Sequence, residues 1–186
     1  MTLLGSEVLL NVGFYMLIPL ISVHYTQNVG LTAGTVGFVL GTRPLIQQVP
    51  SLIGGALADR IGYRAAITIG LFVRGLGYVI IAFADDLPRL LAGTIVFGLG
   101  GALIWANGRA AMAAISPRDT LASRYAIANT LENVLSALAP LLGLFLLRFD
   151  FTYVSLTAAA SSFVGCLLIW LFLPAVPVAG SAAPPI

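Results

Sequence analysis

The chain has 186 residues, of which 59% are hydrophobic and only 9% are charged. Soluble domains carry about a quarter charged residues, so this composition excludes a water-soluble surface and predicts an integral membrane protein. The formal net charge of +2 rests on nine arginines that form no basic run, so it does not indicate nucleic-acid binding.

Histidine and cysteine occur once each, as His24 and Cys166. A metal site needs several such ligands at fixed spacing, so we expect no metal ion. The sequence also contains no nucleophile motif, no His/Cys/Asp cluster and no phosphate-cradling glycine loop. We therefore expect neither an enzyme nor a cofactor.

Six apolar stretches are long enough to cross a membrane as helices, which takes about 20 residues each. The joints between them are short, so neighbouring helices must run antiparallel. Residues 1–173 are therefore predicted to form one all-α transmembrane domain, and the Pro/Ala-rich residues 174–186 a tail or truncated linker. The predicted helices are Leu3–Val23, Thr35–Ala58, Ala65–Phe83, Leu90–Ile115, Tyr125–Leu147 and Tyr153–Leu173.

The first helix carries three polar residues, Glu7, Asn11 and Tyr15. An ionisable residue at membrane depth costs at least about 2.5–3.5 kcal/mol, so each one needs a reason. Glu7 is either a carboxylate that reaches the interface or a membrane-embedded acid. Asn11 and Tyr15 either pack between helices or face a substrate cavity.

The second helix carries Arg43 near its middle and Gln47 one turn later. Arg43 is either a cavity-lining cation, which binds anionic groups or gates a proton, or a structural arginine bonded to backbone carbonyls. Gln47 adds hydrogen-bond donors to the same face and is expected to line the same cavity.

The joints differ in charge, and this predicts the orientation of the chain. The joints after the second and fourth helices carry two arginines each, whereas those after the third and fifth set a single arginine beside aspartate. The arginine-rich side is expected to be cytoplasmic, so both termini face the cytoplasm. The four arginines that decide this are Arg60, Arg64, Arg118 and Arg124.

The third, fourth and fifth helices each carry an ionisable residue. Arg74 is within reach of the cytoplasmic interface by snorkelling, and we expect it to be a structural residue. Arg109 lies seven residues before Ser116, and Glu132 lies eight residues after Arg124, so their depths match at roughly 12 Å. We expect Arg109 and Glu132 to approach each other directly or through water.

Two interpretations of the Arg109 and Glu132 pair stay open. Glu132 is either a proton carrier, because burial and a nearby cation shift its protonation in opposite directions, or half of a static ion pair. Asn107, two residues before Arg109, either contacts substrate or serves packing.

Residues 55–64, GALADRIGYR, form a charged joint between the second and third helices, in which Gly62 allows a sharp reversal. They resemble the loop signature Gly-x-Leu-Ala-Asp-Arg-x-Gly-x-Arg of the major facilitator superfamily. Ala139-Pro140-Leu-Leu-Gly143 in the fifth helix resembles the Gly-Pro-x-x-Gly signature of the drug:proton antiporter branch, with alanine in place of the first glycine. The chain is similar to bacterial multidrug efflux members of this family.

The resemblance implies a fold of two six-helix halves, each built from two inverted three-helix repeats, of which this chain has one half. It implies proton-coupled efflux of drugs or other small molecules across the bacterial inner membrane. Glu7 then joins Glu132 and Arg109 as a candidate for proton coupling. The signature loop implies a conformational latch made by Gly55, Asp59, Arg60, Gly62 and Arg64.

The partners that this implies are the lipid bilayer, protons, a small-molecule substrate and a second six-helix half. That half is either a missing C-terminal part or another copy of the chain. The alternative is a non-transporting truncated membrane fragment or an assembly subunit.

Overall fold

A computed structural model describes the backbone of residues 2–115 and 120–173, and the side chains of residues 11–48, 58, 60–105, 107–113 and 120–173. This part of the chain is entirely helical, as the apolar stretches predict. The six helices are α1 (Thr2–Gln27), α2 (Ala33–Ile61), α3 (Tyr63–Ala82), α4 (Leu87–Ile115), α5 (Leu121–Leu147) and α6 (Phe151–Phe172).

Four of these helices, α3 to α6, contain described stretches that are long and apolar enough to cross a membrane. Each helix begins or ends within a few residues of its predicted bounds. The largest differences are four residues, at the end of α1 and at the start of α5. Because α5 begins at Leu121, Arg124 belongs to its first turn and not to a joint. The predicted tail, residues 174–186, lies outside the described residues.

The joint between α2 and α3 is much shorter than the sequence suggests. Residues 59–61 form the last turn of α2, and α3 begins at Tyr63, which leaves Gly62 as the whole connection. Gly62 has a φ of 86° and a ψ of 150°, a conformation that is nearly confined to glycine. Its N–H donates to the Ala58 carbonyl 2.8 Å away and so caps α2.

The helices pack in a regular pattern, which the contacts between them define. α3 packs extensively against α4 and α6, α1 against α5 and α6, and α2 against α4. This set of extensive contacts is unchanged when α1, α2 and α3 are exchanged with α4, α5 and α6. Two inverted three-helix repeats would produce such a pattern, and the repeat itself stays a prediction.

Glycines allow the close approach of α4 to its neighbours, as expected from their number in this helix. A Cβ atom on Gly100 would lie 2.4 Å from the backbone nitrogen of Arg74, and one on Gly93 would lie 2.7 Å from the Ile81 side chain. Backbones in lipid approach closely only where side chains are this small. Gly98 meets Ile46 of α2 in the same way.

The end of the bundle opposite Gly62 is held by aromatic and hydrogen-bond contacts. The Tyr25 hydroxyl of α1 lies 3.0 Å from the Ile81 carbonyl and 2.9 Å from that of Ala84, so it ties α1 to the joint after α3. Next to it, the His24 ring stacks on Phe151 of α6 with centroids 4.0 Å apart. These contacts fix the relative positions of α1, α3 and α6.

Candidate functional site

A cavity of about 80 Å³ lies between α1, α3, α4, α5 and α6. Its wall combines apolar side chains with a concentration of polar and charged groups that is rare inside a membrane domain. The charged members are two arginines, Arg74 and Arg109, and one carboxylate, Glu132. The other lining residues are Asn11, Ile67, Ile104, Trp105, Gly108, Met112, Tyr125, Ala128, Asn129 and Ile169.

A second, smaller cavity of about 10 Å³ adjoins α2. It has Asn11, Arg74 and Trp105 in common with the larger cavity. The remaining lining residues are Phe14, Tyr15, Arg43, Gln47, Phe97 and Gly101. Four of the five residues predicted to line a substrate cavity, Asn11, Tyr15, Arg43 and Gln47, therefore lie around these two spaces.

Arg43 is held by an amide and two aromatic rings. Its Nη2 donates to Gln47 Oε1 at 3.0 Å, and its guanidinium carbon lies 4.3 Å from the Phe14 ring centroid and 5.2 Å from that of Phe97. Its buried Nε has no hydrogen-bond partner among the described residues. These contacts place no backbone carbonyl against Arg43, so they do not support its structural interpretation.

Arg74 corrects the expectation that it reaches the interface. It is 4% exposed, and its Nε and Nη2 lie 3.1 Å and 3.0 Å from the Tyr78 hydroxyl. The snorkelling prediction was wrong because it considered depth alone, whereas Tyr78 one turn along α3 accepts hydrogen bonds from the guanidinium inside the bundle. The i, i+4 spacing of Arg74 and Tyr78 is the signal in the sequence that indicates this internal pair.

Glu132 of α5 is half-buried, and Asn11 Nδ2 of α1 donates to its Oε1 at 3.3 Å. The predicted neighbour of Glu132, Arg109, lines the same cavity. Within the described part of the chain, however, no ion pair of 4 Å or less joins them. A contact through water is untested and stays a prediction.

The orientation of Arg109 along α4 explains the absence of a direct pair. Its guanidinium carbon lies 5.1 Å from the centroid of Trp105, one turn earlier on the same helix. α5 instead reaches the Arg109 backbone, because the Tyr125 hydroxyl donates to the Arg109 carbonyl at 2.9 Å. Tyr125 and Asn129 also line the cavity, which was not predicted from the sequence. They lie seven and three residues before Glu132, spacings that place all three side chains on the same face of α5.

Asn107 lies outside the described lining of both cavities. It is 1% exposed, and its Nδ2 donates to the Leu103 carbonyl of its own helix at 2.8 Å. Two residues correspond to about 200° of rotation on a helix, so Asn107 faces away from Trp105 and from the cavity. The structure therefore does not place Asn107 where the sequence analysis expected it.

The predicted latch is described only in part. Arg60 is exposed, whereas Arg64 reaches α6, where its Nη2 donates to the Trp170 carbonyl and its guanidinium carbon lies 4.7 Å from the Trp170 ring centroid. Arg64 thereby ties the start of α3 to the end of α6. The side chains of Gly55 and Asp59, and that of Glu7 in α1, lie outside the described residues.

The α5 motif marks where α5 packs against α1. Ala139 and Gly143 are the buried residues of α5, with Pro140 between them. A Cβ atom on Gly143 would lie 2.7 Å from the Met16 carbonyl and from the Leu20 side chain. The small residues of this motif are therefore required for close contact between the two helices.

A bundle of apolar helices around an internal cavity with arginines and a carboxylate is typical of membrane transport proteins. The family model described as Major Facilitator Superfamily matches residues 3–185. The chain belongs to this superfamily, whose members are transporters, as its signature loop predicts.

Among its relatives are multidrug resistance proteins MdtH. That of Aeromonas hydrophila is 36% identical over 171 residues, which is 91% of this chain and 43% of the relative. That of Photorhabdus laumondii is 31% identical over 182 residues, which is 98% of this chain and 45% of the relative. The chain therefore spans less than half the length of the curated relatives it matches, and its likeness to bacterial multidrug resistance proteins of the MdtH type is confirmed.

Solved transporters have the same fold. A crystal structure of the peptide transporter POT in complex with sulfate superposes with a TM-score of 0.83 at 21% identity, over 95% of this chain and 39% of that one. Tetrameric PepTSo2 superposes with a TM-score of 0.75 at 20% identity, over 91% of this chain and 38% of that one. At these identities the likeness concerns the fold alone.

Proposed function

We propose that this chain forms one half of a proton-coupled secondary transporter that exports small molecules across the bacterial inner membrane. Both termini face the cytoplasm in this proposal, following the arginine-rich joints. Glu132 carries the proton, and the larger cavity receives the substrate. The names of the MdtH relatives support export as the direction of transport.

The observation that carries this proposal is the position of Glu132. Its carboxylate lines the larger cavity and accepts a hydrogen bond from Asn11. Glu132 lies on α5, which has a smaller buried fraction than the other described membrane-length helices. A carboxylate that lines a cavity inside a membrane domain is a candidate for carrying protons, because such residues are rare there without a function.

The proposed second half would cover the apolar faces of α2 and α5. In α2, Phe38 and Leu45 are each 66% exposed, and in α5 Leu141 is 60% exposed. Lipid or a second six-helix body suits these faces equally well in chemical terms. Because the chain spans 43–45% of its MdtH relatives, we propose that a second six-helix body occupies them.

The test is flux in proteoliposomes that contain the protein and an imposed pH gradient. Three radiolabelled probes of matched size are used: the anion 2-naphthoate, the neutral 2-naphthamide and the cation 2-naphthylmethylammonium. The proposal expects that the flux of at least one probe follows the gradient and that Glu132→Gln abolishes this dependence. Asp85→Asn is the control, because Asp85 is an exposed carboxylate that does not belong to the described lining of either cavity.

Two results would contradict the proposal in different ways. Gradient-driven flux that persists in the Glu132→Gln variant would remove Glu132 as the carrier. If folded protein moves no probe at all, the alternative of a non-transporting fragment or assembly subunit replaces it. Native mass in detergent then separates a pair of copies, which would make two halves, from a single chain that needs a different partner.

A further inference from the structure

We propose that the smaller cavity is the site of one ordered water molecule, which accepts a hydrogen bond from Arg43 Nε and donates one to Asn11 Oδ1. The water thereby keeps the Asn11 amide nitrogen turned toward Glu132. The site itself follows from the cavity, and its role beside Glu132 rests on the proposed function. Three observations support it: the size of the cavity, the Arg43 donor and the direction of the Asn11 amide.

The smaller cavity has the size and the polar wall that an internal water requires. Its volume of about 10 Å³ is close to the least that holds one water molecule, so it suits no larger ligand. An internal water also needs about two to four polar partners. The wall offers the polar side chains of Asn11, Tyr15, Arg43, Gln47 and Arg74.

Arg43, which lines this space, has a buried donor without a partner. Its Nη2 donates to Gln47 Oε1, but its Nε makes no hydrogen bond within the described part of the chain. A buried donor that lacks an acceptor is costly, and internal waters are typically bound where they satisfy such a group. A water in the cavity supplies the acceptor and leaves the contact of the guanidinium with the Phe14 ring unchanged.

Asn11 supplies the acceptor for the water's own proton. Its Nδ2 donates to Glu132 Oε1 at 3.3 Å, and among the described residues nothing donates to its Oδ1. An amide that turns its nitrogen to a carboxylate turns its oxygen to the other side. Asn11 lies three residues before Phe14 on the same face of α1, and the Arg43 guanidinium carbon lies 4.3 Å from the Phe14 centroid. Arg43 and Asn11 are therefore neighbours at this cavity.

The water completes a chain of hydrogen bonds through three helices. Arg43 of α2 donates to the water, the water donates to Asn11 of α1, and Asn11 donates to Glu132 of α5. Bonds through an ordered water are nearly as favourable as direct ones. Asn11 is thus a positioning residue, which the water holds in the one orientation that places a donor on the carboxylate.

Radiolytic footprinting detects such a water, because hydroxyl radicals that form from it oxidise the side chains next to it. The reporter is Phe97, which lines the cavity but is only 3% exposed, so bulk solvent hardly reaches its ring. Phe151 is the control, since it has the same 3% exposure and lies outside the described lining of both cavities. We expect oxidation of Phe97 and not of Phe151. Absence of oxidation at Phe97 would overturn the water site.

Gly101→Ala displaces the water without a clash. Gly101 lines the same cavity, and a Cβ atom there would lie 3.6 Å from Gln47 Cδ, an ordinary contact distance. Because the methyl group leaves Arg43 Nε without an acceptor, oxidation of Phe97 should be lost and the melting temperature should fall. Gly37→Ala is the matched control, since nothing lies within 4 Å of its Cβ and helix propensity raises its melting temperature. A rise for Gly101→Ala as well would mean a dry cavity and overturn the proposal.

Arg43→Met separates loss of the water from crowding of Gln47. Methionine is a flexible apolar side chain that has no N–H donor. In this background Gly101→Ala no longer deprives a donor of its acceptor, so it should raise the melting temperature as Gly37→Ala does. If Gly101→Ala lowers the melting temperature equally with and without Arg43, the loss is steric and the water site is rejected.

The water site and the transport proposal fail separately. In proteoliposomes, Gly101→Ala should lower gradient-driven flux because the Asn11 amide is free to turn its donor from Glu132, whereas Gly37→Ala should not. Loss of Phe97 oxidation with unchanged flux would reject the positioning of Asn11. If the wild type carries no flux at all, the transport proposal fails, and footprinting and melting temperatures still decide the water site.

Discussion

Asn11 and Glu132 are 121 residues apart in the chain, yet the amide of the first donates to the carboxylate of the second across the α1/α5 contact. Asn11 also lines the smaller cavity, where Arg43 lies. A single amide thus contacts the proposed proton carrier and lines the cavity beside Arg43. With Arg74 and Trp105, Asn11 is one of the three residues that line both cavities.

Replacing Asn11 with leucine tests this connection. The substitution keeps the side-chain size and removes the donor to Glu132, a charged hydrogen bond worth about 1.5–3 kcal/mol. We expect gradient-driven flux to fall about tenfold or more, with the fold retained. Asn133→Leu, an exposed position next to Glu132, is the control. Unchanged flux in Asn11→Leu would show that the carboxylate does not need this donor.

Gly100→Ala should destabilise the protein, because the added methyl group would meet the backbone of Arg74 at 2.4 Å. Overpacking of this kind costs about 1–3 kcal/mol. Gly37→Ala in α2, where nothing lies within 4 Å, should instead stabilise by up to about 1 kcal/mol through helix propensity. Thermal unfolding in detergent measures both shifts. Shifts of the same sign would contradict the close α3/α4 contact.

Tyr25→Phe isolates the hydrogen bonds at the end of the bundle opposite Gly62. The ring remains, but the carbonyls of Ile81 and Ala84 lose their common donor in a fully buried site. The expected loss is about 1–3 kcal/mol of unfolding free energy, seen as a lower melting temperature. Tyr153→Phe is the control, because Tyr153 is 59% exposed. Equal melting temperatures for the two variants would refute the contribution of Tyr25.

His24 predicts a dependence of stability on pH. Burial of its ring against Phe151 lowers the pKa of His24 below the usual value of about 6.5, and Asp150 and Asp85 oppose this only in part. The folded state therefore binds fewer protons than the unfolded state just below that value, so stability is full above it and falls as pH is lowered through the folded pKa.

A series of melting temperatures between about pH 5 and pH 8 measures this effect, because histidine is the side chain that ordinarily titrates in that window. His24→Phe keeps the ring stack and removes the titration, so its melting temperature should vary less with pH. A wild-type protein that is more stable at pH 5 than at pH 8 would reverse the sign and contradict the assignment.

Hydropathy alone predicted all six helices, because each must present about 20 apolar residues to lipid. The constant rise along a helix also predicted that Arg109 and Glu132 lie at one depth; both line the same cavity, and their depth in the membrane stays a prediction. What neither could predict was the rotation of each helix about its axis. That rotation turns Asn107 away from the cavity, and it depends on which neighbours each helix packs against. The contact of Arg109 with Trp105 depends instead on the side-chain conformation of Arg109 within α4.

Arg74 is a second residue whose side-chain position could not be predicted from the sequence. Its depth in α3 allowed the side chain to reach the interface, whereas in the structure it is buried and bonded to the hydroxyl of Tyr78. For Gly62, the sequence correctly predicted that the chain reverses direction at this glycine. It did not predict that Gly62 is the whole connection between α2 and α3, because composition does not reveal that α2 continues to Ile61.

The contact of Gly100 with the backbone of Arg74 has a consequence for how this family member can diverge. The place of a cation in the cavity depends on the lack of a side chain on the adjacent helix. Any larger residue at position 100 would push α3 aside and carry the guanidinium of Arg74 with it. A substitution of Gly100 would therefore alter both the packing of α3 against α4 and the position of the Arg74 cation in the cavity.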